Sequence, residues 1–269
     1  MNIGGAFGTA DVSSKGIFMV TIKSKSEIEN MKIAGRVTYE TLKAVEAAVK
    51  PGVTTAELDK VAADYIKSCG CKASFKGYGG FTGSICASVN DEIIHGIPGN
   101  RVLKEGDIIS IDVGACYKGY HGDAARTFAV GEISDEAKRL IAVTKQSFFE
   151  GAKLAREGYR IGEISAAVQK YVESNGFSVL RNYCGHGIGA QLHEDPEVPN
   201  YVTSARGIRM RAGMCICVEP MVCQFDHKAY VASNEWTVIT KDGGLAAHYE
   251  NTILITKGNP CLLTLPEEV

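Results

Sequence analysis

Apolar positions recur at helical spacing in four stretches of the chain, and at strand-like spacing between them. In SKSEIENMKIAGRVTYETLKAVEAAV, Ile28, Met31, Ile33/Ala34, Val37, Thr41/Leu42 and Val45 fall near the helical period. Ser26 and Glu29 have the spacing of a capping box at its start. Pro51-Gly52-Val53 breaks the pattern, and Thr54 with Glu57 caps a second helix running to about Ser68. The Gly-rich run GYGGFTGS leads into short strand-like pieces. DIISIDVGACYKGYHGDAARTFAVG predicts a β-hairpin turning at Lys118-Gly119. Ser134 opens a third helix through about Arg156, and Gly162 to Ser174 form a fourth. The remainder alternates short strands and loops, among them GMCICVEPMVC, EWTVIT and AHYENTILIT.

The second and fourth helices repeat each other. PGVTTAELDKVAADYIKSCG lies over EGYRIGEISAAVQKYVESNG with Gly52/Gly158, Glu57/Glu163, Tyr65/Tyr171, Ser68/Ser174 and Gly70/Gly176 identical. Two ordinary amphipathic helices of like composition would give a similar match. A true repeat instead predicts two halves, each a helix pair plus strands, with a site between them.

Composition narrows the class. The 269 residues carry 29 Lys+Arg against 31 Asp+Glu, a formal net charge of -2, which leaves no broad basic footprint for nucleic acid. Hydrophobic residues at 45% and charged ones at 22% suit a globular chain rather than a disordered one. No apolar run approaches the roughly 18–20 residues that span a bilayer. The start lacks a basic segment followed by an apolar stretch, so it does not read as a secretory signal. Residues 1–23, rich in Gly, Ser and Ala, are expected as a loose tail, and 24–269 as a single domain. Nine cysteines without a CxxC fit reduced thiols used as small core hydrophobes in a cytoplasmic protein.

The most informative residues are acids inside apolar strand patterns. Asp112 interrupts SIDVG, Asp123 follows in YHGDAARTF, and the predicted turn places them nearly opposite each other. Facing buried carboxylates are costly unless a cation lies between them. Glu219 ends CICVE and Glu250 precedes the run NTILI, both poor strand residues. His186 sits in the glycine-flanked YCGHGIG, read as a turn, and His193 follows in LHEDP. Four carboxylates and one imidazole exceed the three ligands of a single catalytic zinc. They match two divalent cations, whose charge would balance the four acids; oxygen-rich ligation favours Mn, Fe or Co without excluding Zn. Competing signatures are absent: HEDPE is not HExxH, no GxGxxG or GK[ST] is complete, and there is no GxSxG.

These residues closely resemble the type I methionine aminopeptidases of metallopeptidase family M24. The motifs VNDEIIHGIP, SIDVGACYKGYHGDAARTF, YCGHGIG, LHEDP, VEPM and HYENT stand in family order over most of the chain. The resemblance implies the pita-bread fold, an α/β (α+β) pseudo-twofold architecture with an antiparallel sheet core flanked by two helix pairs. It implies that Asp112, Asp123, His186, Glu219 and Glu250 hold two divalent metal ions (Co, Mn, Fe or Zn), with Asp123 and Glu250 bridging. His95 and His193 match active-site histidines that are not ligands, and Tyr78, Phe81, Cys86, His95, Leu192 and Trp236 match the methionine pocket. Phe81 and Leu192 depart from the family's usual tyrosine and aromatic residue but stay apolar. The implied function is removal of the initiator methionine before a small second residue, by a metal-activated hydroxide. Glu219 would relay the proton, His193 stabilise the oxyanion and His95 bind the substrate amide. The expected setting is nascent N-termini at the ribosome, handled by a cytoplasmic monomer with no nucleic-acid or membrane partner. The alternatives are an X-Pro aminopeptidase or prolidase, and a non-catalytic peptide-binding member of the same fold.

Overall fold

A computed structural model of the chain describes residues 20–266. The expected loose tail therefore lies outside the described residues except for its last four. Lys23 is buried, and its amide donates to Gly213 O at 2.8 Å. That bond holds the chain extended up to Lys23, so the first helix, α1 (Lys25–Ala48), takes its cap two residues before the expected one. Ser24, not Ser26, closes the capping box with Glu27, whose carboxylate also accepts from the Tyr120 hydroxyl at 2.7 Å. Helix α2 (Thr55–Ser68) has the expected Thr54–Glu57 box. Helix α3 (Asp135–Ala152), capped by Ser134, stops short of Arg156. Leu154 and Ala155 there donate to Gly151 and Ala152, tightening the chain into three-residue turns. Helix α4 spans Ile161–Ser174.

The repeat is present in space. Gly52 and Gly158 take φ of 91° and 92°, conformations that cost glycine little. Their amides donate to Leu103 O at 2.8 Å and Met210 O at 3.0 Å, and Leu103 and Met210 donate back to Val53 and Tyr159. At the far ends, Ser68 and Ser174 hydroxyls donate to Tyr65 O and Tyr171 O. Matching residues thus do matching work, which two merely similar helices would not show.

Each helix pair covers its own sheet. In the first half, the long hairpin Ile108–Tyr117 and Tyr120–Ala129 turns at Lys118-Gly119, both at positive φ, as the sequence predicts. Ile85–Val89 pairs with the outer side of Ile108–Tyr117. Leu58, Ile66, Ile109 and Ile111 are fully buried in the core under α1 and α2. Helix α1 crosses the hairpin where Gly35 meets Gly122; a Cβ on Gly122 would lie 2.7 Å from Gly35 N. In the second half, α3 and α4 cover strands Cys215–Val218, Met221–Cys223, Ala246–His248 and Asn251–Leu254 around a core with Phe148, Ile164 and Ile216.

Two threonines join the halves. Thr127 Oγ1 accepts from His248 N at 2.9 Å and donates to His248 O at 3.0 Å. Thr252 Oγ1 does the same for the backbone of Asp123, at 2.9 Å each way. Midway, Glu250 N donates to Ala125 O at 3.0 Å. The exchange is reciprocal, so the seam lies on the pseudo-twofold axis. Asp123 in one half stands where His248 stands in the other.

Candidate metal centre

The acids converge on this seam. Asp112 pairs with Ala125, and Asp123 with Gly114. The two aspartates are therefore diagonal neighbours on one face, nearly opposite each other as expected. The true turn lies one residue beyond the midpoint between them. Glu219 and Pro220 link Cys215–Val218 to Met221–Cys223, strands of two different sheets, and Tyr249-Glu250 interrupts the facing run in the same way. Tyr249 N donates to Pro220 O at 3.2 Å, so the two breaks face each other. Both glutamates leave their ladders there and turn towards the aspartates.

His186 comes from the strand Gly185–Gly187, where a turn was expected. Its glycines serve strand contact rather than turn geometry. A Cβ on Gly185 would lie 2.3 Å from Cys217 O, and one on Gly187 2.1 Å from Asp195 O. This squeeze carries His186 Nε2 to 3.6 Å from Glu219 Oε1 and 4.0 Å from Asp123 Oδ2. Asp123, His186, Cys217 and Glu250 bring ligand atoms within 4.8 Å of one another, as do Glu219, His248 and Glu250.

The electrostatics call for cations. Burial pushes the Asp112 carboxyl up to about 7. Burial, and then the neighbouring negative charges, push Asp123, Glu219 and Glu250 well above the carboxylate range. Burial also lowers the imidazoles, His186 to about 4 and His248 to about 3, so neither supplies positive charge. Asp112 Oδ1, Asp123 Oδ1, Glu250 Oε1 and His248 Nε2 are buried without a hydrogen-bond partner. Such oxygen-rich donors, inward and unsatisfied, fit hard or borderline divalent ions.

An apolar cluster adjoins the acids. Phe81, Cys86 and Leu192 are buried in one cluster, with Tyr78 and Trp236 packed against it. Phe81 and Trp236 meet edge to face at 5.1 Å. Cys86 lies opposite Asp112 in the strand register, which ties the cluster to the acids. His193 bridges the two regions: its Nδ1 shares a 2.7 Å hydrogen bond with the Tyr78 hydroxyl, and its ring centre is 4.3 Å from that of His186. Burial, followed by the fields of His186, His95 and His121, lowers His193 to about 2 and keeps it neutral. Behind it, Glu194 is anchored to Lys23 at 2.6 Å and to Thr21 at 2.8 Å. His95 takes φ of 59°, an unusual backbone for a non-glycine residue, beside Gly96, whose amide donates to Ser88 Oγ at 3.0 Å.

The family model for metallopeptidase family M24 matches residues 29–257. The chain belongs to this family. The methionine aminopeptidase of Clostridium acetobutylicum is 56% identical over 250 residues, spanning 93% of this chain and 100% of the relative. Methionine aminopeptidase 1 of Bacillus subtilis is 48% identical over 246 residues, spanning 91% and 99%. A crystal structure of the Thermotoga maritima methionine aminopeptidase superposes with a TM-score of 0.90 at 44% identity, covering 92% of this chain and all of that one. Prolidase from Pyrococcus furiosus, at 22% identity and a TM-score of 0.76, shares the fold. The architecture is thus the pita-bread fold that the motifs implied, and membership in M24 implies use of divalent metal.

For this M24 chain, sequence reasoning passed over two residues at the centre. Cys217 was assigned to packing; it is fully buried and its Sγ also reaches the ligand cluster. His248 was given no role. Its signal was available, since it stands two residues before Glu250 in a β run, but the bulge at Tyr249-Glu250 hides that relation.

Proposed function

We propose that the chain is a methionyl aminopeptidase, a metallo-exopeptidase that removes N-terminal methionine before a small second residue. The observation that carries this reading is the apolar cluster of Tyr78, Phe81, Cys86, Leu192 and Trp236 beside buried acids with unsatisfied oxygens. Asp112, Asp123, His186, Glu219 and Glu250 would hold two divalent ions drawn from Co, Mn, Fe or Zn. Such ions cancel the four negative charges, acidify a water and polarise the scissile carbonyl.

The protein's own groups do the rest. Glu219 accepts the proton of the attacking water and relays it to the leaving amine. His193, neutral and steadied by the Tyr78 hydroxyl at 2.7 Å, donates an N–H to the developing oxyanion. His95 hydrogen-bonds the substrate amide. This apolar lining suits an unbranched thioether, whose sulfur packs well on the faces and edges of Phe81 and Trp236. In this reading the substrates are nascent N-termini leaving the ribosome, met by a monomer in the cytoplasm.

The X-Pro reading rests on likeness of fold at 22% identity, whereas the relatives at 56% and 48% are methionine aminopeptidases. A pure binding module has no use for five intact ligands. The test is hydrolysis of Met-Gly-Met and of an X-Pro dipeptide by metal-stripped protein, with Mn, Fe, Co and Zn restored separately. Metal-dependent release of methionine is expected. Turnover confined to the X-Pro dipeptide, or turnover unaffected by chelation, would overturn the reading.

A further inference from the structure

His248 is the least explained polar group at the centre. It is 2% exposed, and its Nε2 has no hydrogen-bond partner. That atom lies 3.8 Å from Glu219 Oε2 and 3.9 Å from Glu250 Oε2. His186 stands in the same relation to its acids, at 3.6 Å and 4.0 Å. Glu219 is thus flanked by two imidazoles, with Oε1 turned to His186 and Oε2 to His248.

The pseudo-twofold axis shows why His248 points inward. Thr252 binds the backbone of Asp123 as Thr127 binds the backbone of His248. The partner strands agree: Gly114 pairs with Asp123 and Met221 with His248. A metal-facing position is therefore built into both halves, and the second half fills it with an imidazole.

We propose that His248 is a positioning residue, whose Nε2–H donates to Glu219 Oε2 and fixes that oxygen when metal is bound. A carboxylate that gives one oxygen to a metal needs a donor for the other. Asp112 and Asp123, as carboxylates, can only accept, and His186 faces the opposite oxygen of Glu219. The 3.8 Å separation from Glu219 Oε2 exceeds a hydrogen bond by about 1 Å, a distance that a small side-chain shift closes. Fixing Glu219 Oε2 would also set the direction in which Oε1 meets water, so the residue would matter to the proton relay as well as to metal retention. This inference rests on the dinuclear reading above.

The test titrates metal-stripped wild type, His248→Gln and His248→Leu with Co(II) by calorimetry. X-ray absorption on each loaded protein counts the imidazole ligands. Wild type should bind two ions with one imidazole between them. His248→Leu should weaken Co(II) binding by about 10- to 100-fold, the usual cost of losing such a supporting contact. His248→Gln, which keeps an N–H donor, should stay within about 3-fold of wild type, well short of that loss. Wild-type affinity in His248→Leu would overturn the proposal. So would two imidazoles in wild type that fall to one in His248→Gln, since His248 would then be a ligand. Should the leucine variant fail to fold, the imidazole count and the glutamine variant still decide. Failure of wild type to bind two ions would instead overturn the dinuclear reading itself.

Discussion

Stripping the metals should make the protein lose stability as pH rises, the reverse of ordinary acid unfolding. In the metal-free fold, burial holds the Asp112 proton to about 7, and burial with the neighbouring negative charges holds those of Asp123, Glu219 and Glu250 well above the carboxylate range. In the unfolded chain all four would be ionised above about pH 5. The folded state then binds more protons, so its stability is fully present at acid pH and drains away as pH climbs through the folded values. Each retained proton costs ~1.4 kcal/mol per pH unit. Five histidines act in the opposite sense. His95, His121, His186, His193 and His248 are all lowered by burial, and they stabilise the fold above the unfolded value of about 6.5 and oppose it below. Between pH 5 and 6.5 the two groups largely offset each other. From pH 7 to 8 the unfolded histidines shed the last of their charge while buried thiols such as Cys86 and Cys217 begin to oppose the fold, two small effects of opposite sign. The slope in that window belongs to the carboxylates. Each carboxyl still protonated in that window predicts a fall of ~1.4 kcal/mol between pH 7 and 8. Urea unfolding of chelator-treated protein at half-unit pH steps measures it. Metal-loaded protein should be flat over the same window, because coordinated carboxylates are ionised throughout. A metal-free protein whose stability holds level or rises from pH 7 to 8 would refute the buried, proton-retaining cluster.

Changing His193→Ala should lower kcat by about 100- to 1000-fold, as loss of an oxyanion donor does, while bound metal stays constant; unchanged turnover would remove it from the mechanism. Changing Asp112→Asn should reduce the ions bound per chain, and metal analysis showing the wild-type ratio would exclude it as a ligand. Lys23→Met removes the cation of Glu194 behind His193 but leaves its bonds from Thr21 and Gln191 N, so it should destabilise the fold by about 1–3 kcal/mol in denaturant unfolding. The double change Lys23→Met, Glu194→Gln should recover much of that loss, and equal losses in single and double variants would show the pair to be inert. Gly187→Ala puts a methyl 2.1 Å from Asp195 O and should cost about 3 kcal/mol or more, visible as a lowered Tm.

Helices and the hairpin were legible because their signals are local. The Thr54–Glu57 and Ser134 caps and the Lys118-Gly119 turn depend on a few adjacent residues. The start of α1 was misplaced because Ser24 and Ser26 offer equivalent local chemistry. A distant bond, Lys23 N to Gly213 O, chooses between them. The same division runs through the site. Carboxylates inside strands announced a cation centre without any geometry. The role of the His186 glycines, by contrast, depends on strands contributed by Cys215–Val218 and Glu194–Val198, which no local pattern reveals.

The missing role of His248 has a further physical cause. In the first half, Asp112 and Asp123 belong to one hairpin with a two-residue turn, so their relation shows in the sequence. In the second half, Met221–Cys223 and Ala246–His248 form the corresponding pair, but residues 224–245 intervene. Those residues build a separate sheet from Ala229–Val231 and Val238–Thr240, which pairs with Glu92–Ile94. No constant offset can therefore align both the helices and the strands of the two halves, and the repeat shows only in α2 and α4. Register recovers what offset loses. Carrying the Met221–His248 pairing two residues further sets Glu219 against Glu250, as Asp112 stands against Ala125. The two halves therefore offer the same positions to the cavity but fill them differently: Asp112 with Glu219, Asp123 with His248, Ala125 with Glu250. Identity between halves survives where a residue holds the backbone, as at Thr127 and Thr252. It is lost where side chains face the cavity, because a single centre needs each position only once, and each is free to take its own chemistry.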